Sequence, residues 1–207
     1  MYEFTDKAIA VMNRTVQHEF ATLRRSLLSF DNVNAILAAV NACYSAIDRV
    51  AKECYLSIAK DAYKTVTGRD SMITYFWLEQ FLYGYDSVTK YVYAHEFDRK
   101  RARLFEAVVA SKKKDFSKEL KQAMLSLATQ LKQEADEVTD AATLKGYQDS
   151  GVTRVRWITE SDGRVCMECR KRHWKTYLVS AVPDKPHIRC RCYLIPATEH
   201  DKQPTDS

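Results

Sequence analysis

Apolar side chains recur every three or four positions through most of the chain, which is the period of an α-helix buried along one side. The longest stripe runs from Val33 to Val66, between Asp31, suited to cap a helix, and Gly68, suited to end one. An earlier stripe consists of Ile9, Met12, Val16, Phe20, Leu23 and Leu27. The pattern predicts a body of five helices over residues 1–150, near 5–29, 31–67, 70–83, 86–113 and 115–147. Short connections between such long helices favour antiparallel packing.

Glycine and proline are scarce in the same region. The first 67 residues contain neither, and all four prolines lie beyond residue 151. A β-sandwich, or a nucleotide-binding fold of alternating strands and helices, would need many more turn residues. The chain is therefore predicted to be mainly α-helical.

The pattern changes at Gly151. Residues 151–159 alternate in the manner of a β-strand, and a Ser-Asp-Gly turn signal follows. We expect a small β-containing module over residues 151–196 and a flexible polar tail over 197–207. A segment of about 45 residues can bury little core of its own, so it usually depends on a metal or on a docking surface.

Four cysteines and a histidine cluster inside this module. Cys166 and Cys169 form a C-x2-C pair; after seventeen intervening residues His187 and Cys190 repeat that spacing, and Cys192 follows two positions beyond. Two such pairs, about 15 to 20 residues apart, are typical of zinc sites, because a two-residue gap lets both side chains reach one tetrahedral ion. Four of these five residues are expected to bind a structural zinc ion.

Three other uses of the cysteines remain open. Disulfides would form in an oxidising compartment, but the N-terminus lacks the pattern of a secretion signal, and no apolar run reaches the ~18 residues of a membrane span. A redox C-x-x-C pair would be expected in a βαβ setting. A catalytic zinc would need an open position and a general base; Glu168 and Asp162 are nearby, outside any hydrolase or deaminase pattern.

The module is also strongly basic. Residues 151–195 carry ten arginines and lysines against four acids, a net charge of +6, interleaved with tryptophan and tyrosine. Such a mixture is typical of nucleic-acid contacts, although a solvated rim whose cations favour nearby thiolates would look the same. The residues expected to contact DNA or an acidic protein surface are Arg154, Arg156, Arg170, Lys171, Arg172, Arg189 and Arg191.

A more specific pattern runs through the same residues: Trp157-Ile-Thr, Asp162, Arg164-Val-Cys166-x-x-Cys169, Lys185-Pro-His187-x-x-Cys190-Arg-Cys192 and Pro196. It resembles the C-terminal signature of the phage Mu protein F-like minor head proteins, also called the phage head morphogenesis family. The stretch from Asp86 to Glu106 is similar to members from phages and prophages of Gram-positive hosts. The resemblance covers about residues 80–196.

The resemblance implies a minor capsid component, and we therefore expect a non-enzymatic structural protein of the phage head. Members are made beside the portal protein, join the assembling procapsid in few copies, and are thought to contact the portal or the DNA. We therefore expect portal protein, major capsid protein and DNA as candidate partners, several copies in a larger assembly, and no membrane association. The expected location is the virion, after assembly in the bacterial cytoplasm. The competing expectation is a nucleic-acid-binding or nuclease-like zinc module on a helical stalk.

Overall fold

The computed structural model describes residues 3–30, 32–83, 88–111, 115–160, 163, 165–187 and 190–197 of the 207-residue chain. Its elements are α1 (Glu3–Leu27), α2 (Val33–Thr67), α3 (Tyr75–Tyr83), α4 (Val88–Ala110), α5 (Ser117–Asp149), β1 (Arg154–Ile158), α6 (Met167–Arg172), β2 (Thr176–Leu178) and β3 (Tyr193–Pro196). The predicted fold class, mainly helical with a small β-containing C-terminal module, is confirmed. No helix in the described part of the chain combines the length and the apolar character that a bilayer crossing requires.

Two pairs of long helices, α1 with α2 and α4 with α5, pack in opposite directions. Phe20 on α1 and Tyr44 on α2 lie at about equal distances from the turn that joins the helices, and their ring centroids are 6.1 Å apart. The Lys100 ammonium on α4 likewise donates to the backbone oxygen of Ser126 on α5, at 2.9 Å. Contacts placed evenly about a short connection indicate antiparallel hairpins. The buried side of α1 is the predicted stripe: Ile9, Met12, Val16, Phe20, Leu23 and Leu27.

Some helix limits differ from those expected. α3 begins at Tyr75 rather than near residue 70. Thr74 is the residue that caps it, since its hydroxyl accepts from the Trp77 backbone N–H at 3.3 Å. The Asp70 carboxylate instead receives a hydrogen bond from Lys64 at 2.8 Å. The expected cap Asp31, the stretches 84–87 and 112–114, and the expected tail beyond residue 197 lie outside the described residues.

The chain divides into two compact units whose limits fall inside α2 and α5. One unit comprises Tyr2–Ile58 with Met72–Val138, and the other comprises Ala59–Ser71 with Thr139–Ser207. The second unit contains the sheet and also the C-terminal ends of both long helices, whereas composition alone suggested a boundary at residue 151. Within this unit the Tyr147 hydroxyl on α5 donates to the Leu194 carbonyl on β3 at 3.2 Å. The small sheet is therefore anchored on helical residues that precede it in the chain.

The sheet is antiparallel, in the order β2-β1-β3. Because side chains alternate between the two faces of a strand, Val155 and Trp157 of the central strand point to one face and Arg154 and Arg156 to the other. The first pair is fully buried, and Trp157 packs against cysteines 169, 190 and 192. We call this the inner face and the opposite one the outer face. The inner face positions the metal-ligand candidates.

Candidate metal centre

The first pair of candidate ligands is arranged by the start of α6. Cys166 is the N-cap residue of this short helix, and its Sγ accepts a hydrogen bond from the Cys169 backbone N–H at 3.3 Å. One helical turn then carries Cys169 back toward Cys166. The C-x2-C spacing thus brings two sulfurs to one point, as the sequence predicted.

The second segment brings its candidates to the same place. His187 Nε2 and Cys190 Sγ each lie 3.5 Å from Cys169 Sγ. The ligand atoms form two groups, each with all distances within 4.8 Å: Cys166 with Cys169 and His187, and Cys169 with Cys190 and Cys192. All five predicted residues therefore converge, and Cys169 is the member common to both groups.

Burial differs among the five. Cys169, Cys190 and Cys192 are buried, Cys166 is half-buried, and His187 is exposed. Burial, reinforced by the neighbouring thiols, raises the pKa of the Cys169 thiol well above its ordinary value, and burial also raises the pKa of Cys192. The Cys169 backbone N–H lowers the pKa of Cys166, and His187 adds to that effect. Buried thiols this close can ionise together only if a cation compensates their charge, so the donor set fits a metal ion.

The buried indole of Trp157 is a second feature that fits a metal ion bound by the cysteines. Its indole N–H is buried beside the cysteines and, among the described residues, finds no partner with full hydrogen-bond geometry. The Cys192 thiol is close enough that this N–H offsets part of the burial effect on its pKa. A thiolate at Cys192 would be a much better acceptor than a thiol. The sequence did not single out Trp157 as a neighbour of the cysteines; the alternation along β1 is the signal that could have placed it on the buried face of the strand.

The predicted contact residues fall into distinct environments. Arg156 is only 8% exposed, and its guanidinium lies 5.3 Å from the Trp174 ring centroid. The Arg172 guanidinium lies over the Trp157 ring, 5.1 Å from its centroid, and donates a hydrogen bond to the Asp184 carbonyl at 2.6 Å. These two arginines are thus engaged within the module. Those on the solvent side are Arg154, Arg170, Lys171 and Arg191, whereas Arg189 lies outside the described residues.

Other candidates take no part in the cluster. His173 Nδ1 accepts from the Thr159 backbone N–H at 3.0 Å, and neither metal group includes it. Glu168 is exposed and pairs with Lys171 at 2.7 Å, so its carboxylate is engaged away from the sulfurs. Asp162 lies outside the described residues. Cys43 and Cys54 belong to α2, where burial raises the pKa of Cys43 to about 12.

No family model, curated protein or solved structure matches this chain.

Proposed function

We propose that the chain is a structural protein of a phage head, in which the C-terminal module is held together by one zinc ion. The observation that carries the zinc assignment is that Cys166, Cys169, His187, Cys190 and Cys192 come together in two groups of ligand atoms that share the Cys169 sulfur. Sulfur and imidazole donors without a carboxylate, within the described residues, are the set that zinc prefers in closed structural sites.

The sulfur separation supports a metal over a disulfide. The Sγ atoms of Cys169 and Cys190 lie 3.5 Å apart. Two sulfurs on one tetrahedral zinc, at about 2.3 Å from the ion, would be roughly 3.8 Å apart, whereas a disulfide bond is about 2.05 Å long. A bound zinc ion would cross-link two segments of the chain. Cys166 and Cys169 would hold it from the start of α6, and Cys190 with Cys192 or His187 from the segment before β3.

A structural role fits this set better than a catalytic one. A catalytic zinc uses three protein ligands and keeps one position for water, with a general base nearby. Five donors compete here for four positions, and Glu168 is paired with Lys171. Purified protein incubated with duplex DNA and Mg²⁺ is expected to leave the DNA intact. DNA cleavage that a single substitution abolishes would instead establish the nuclease-like alternative.

The role in the phage head is supported by the resemblance over residues 80–196, whose most specific residues are the same cysteines and histidine that converge. On this proposal the helical body contacts portal or capsid subunits, and the basic module contacts DNA or an acidic protein surface. Co-expression with the portal protein of the same phage should yield a complex that survives purification. Separate elution of the two proteins, and absence of the chain from purified virions, would contradict the assignment.

A further inference from the structure

The outer face of the three-stranded sheet carries exposed aromatic residues beside arginines. Tyr193 pairs with Ile158, two positions from Arg156, so the Tyr193 side chain lies on the outer face. The Arg156 guanidinium lies over Trp174 at 5.3 Å, which places that ring on the same face. Trp174 is 41% exposed and Tyr193 is 44% exposed, so a substantial part of each side chain faces solvent. The two rings lie on opposite sides of β1, about two strand spacings or ~10 Å apart.

The backbone at Trp174 is held in a conformation that disfavours its side chain. Its φ is 65°, the only positive value for a residue other than glycine among those described. His173 has φ −57° and ψ 131°, and the Lys175 N–H donates to the Arg172 carbonyl at 3.0 Å. These are the features of a type II turn with Trp174 at the position that glycine normally occupies. A bulky side chain there costs stability, and such strain is typical of functional sites.

Two backbone hydrogen bonds to β1 position Trp174 at the edge of the sheet. The Trp174 N–H donates to the Trp157 carbonyl at 2.8 Å, and the Trp157 N–H donates to the Lys175 carbonyl at 2.9 Å. Trp174 and Lys175 therefore oppose the single residue Trp157, which is a β-bulge that re-aims a side chain. The Arg156 guanidinium, 5.3 Å from the ring centroid, packs against one face of the Trp174 ring.

We infer that this outer face binds single-stranded DNA, with unpaired bases stacking on Trp174 and Tyr193 and with Arg154 meeting the phosphates. The module's charge of +6 over residues 151–195 complements a nucleic-acid backbone. Exposed aromatics on one face of a small antiparallel sheet can stack successive bases of a single strand, whereas a duplex keeps its base faces covered. Only the choice of DNA over RNA rests on the proposed role in a phage head.

The test is fluorescence anisotropy of the full chain with a labelled oligothymidylate of about 15 nucleotides. Trp174→Gly removes the ring and suits the left-handed backbone, so the fold and the metal content should persist while affinity falls about tenfold or more. Trp174→Phe should retain most of the binding, and Tyr193→Ala should weaken it. Phe76→Ala is the matched control, because Phe76 on α3 is 72% exposed and lies outside the module; its affinity should equal that of the wild type.

Three results would overturn the inference: no binding of the oligonucleotide, tighter binding of a duplex of the same length, or equal affinity of Trp174→Gly and wild type. Tighter binding of the matching RNA would overturn the assignment to DNA. None of these results bears on the zinc content or on association with the portal protein, so a failure here is distinguishable from a failure of the proposed function.

Discussion

Cys169 is the residue on which the candidate metal centre converges, because both groups of ligand atoms include its sulfur. Cys166 and His187 belong to one group, and Cys190 and Cys192 to the other. Whichever four residues complete the tetrahedron, Cys169 is expected to be one of them. The other four positions need not be equivalent.

Cys169→Ser should therefore lose stoichiometric metal, since a hydroxyl is a poor zinc ligand and no other sulfur links the two groups. His187→Ala and Cys192→Ser should differ from each other, and the one that keeps the metal identifies the residue outside the set of four. Metal analysis of each reduced, purified variant makes the comparison. Cys54→Ser on α2 is the control and should keep wild-type content. A Cys169→Ser protein with a full metal complement would contradict the geometry.

A buried carboxyl group in α5 gives a separate prediction about pH. Glu134 accepts hydrogen bonds from the Tyr55 hydroxyl and the Gln130 amide, each at 2.8 Å, and burial still raises the pKa of the Glu134 carboxyl above its ordinary value of 4.5. A raised pKa means that the folded state holds this proton more tightly than the unfolded state. The stabilisation is complete below the ordinary pKa and is lost as the pH rises through the raised one.

Glu134→Gln should remove this dependence, because an amide does not titrate and can still hydrogen-bond to Gln130 and Tyr55. The free energy of unfolding, measured with denaturant between about pH 4 and pH 8, should shift in favour of the variant as the pH increases. If the difference in the free energy of unfolding between wild type and Glu134→Gln stays constant over this range, Glu134 ionises as freely in the folded protein as in the unfolded chain.

The candidate ligands could be predicted from the sequence because their signal is local: short spacings around an ion constrain each pair. The environments of Arg156 and Arg172 could not be predicted the same way. Both stack on tryptophan rings, and those contacts arise only when the type II turn at Trp174 folds against β1. Composition counts such arginines as available charges, whereas the folded module uses them as packing groups.

Apolar periodicity was enough to predict the helices, whereas the residue at which a helix begins depends on which side chain caps it. The α1 stripe is buried as expected, because a period of three to four residues determines one face. α3 begins late because Thr74, rather than Asp70, provides the capping oxygen. Asp70 pairs with Lys64, a residue of the preceding helix, and residue-by-residue cap preferences do not anticipate such a partner.

Gly146 shows where two elements approach most closely within the C-terminal unit. A Cβ at this position would clash with the Val66 side chain and would lie 3.3 Å from Thr67 Cγ2. Gly146→Ala should thus destabilise the protein by about 1–3 kcal/mol, although alanine favours a helix by ~1 kcal/mol over glycine.

Thermal or denaturant unfolding measures this effect. Gly163→Ala is the matched control, since an added Cβ there meets nothing within 4 Å; its effect should stay within about 0.5 kcal/mol. Equal stability of Gly146→Ala and wild type would show that α2 and α5 separate easily at this point.

The metal-ligand candidates all belong to the C-terminal unit, and none of them lies on α1 to α5. Removing the ion should therefore disturb the sheet and α6 while most of the helical structure persists. Chelator treatment should preserve most of the far-ultraviolet circular dichroism and should shift the fluorescence of Trp157, which packs against the cysteines. Trp77→Phe and Trp174→Phe together leave Trp157 as the sole tryptophan for this measurement.

Cys169→Ser in the same tryptophan background provides the control, because a chelator should change its fluorescence no further. Loss of most helical signal on chelation would show that the long helices depend on the ion. An unchanged Trp157 spectrum would show that the cysteine cluster keeps its packing without metal.

On the proposed function, one zinc ion cross-links the two Cys/His segments of the module. Native mass spectrometry of the reduced wild-type chain, followed by the same measurement under denaturing conditions, tests it most directly. The expected result is one zinc ion per chain in the native spectrum, lost together with the fold on denaturation. A native spectrum at the mass of the metal-free chain, with all six cysteines as free thiols, would contradict it.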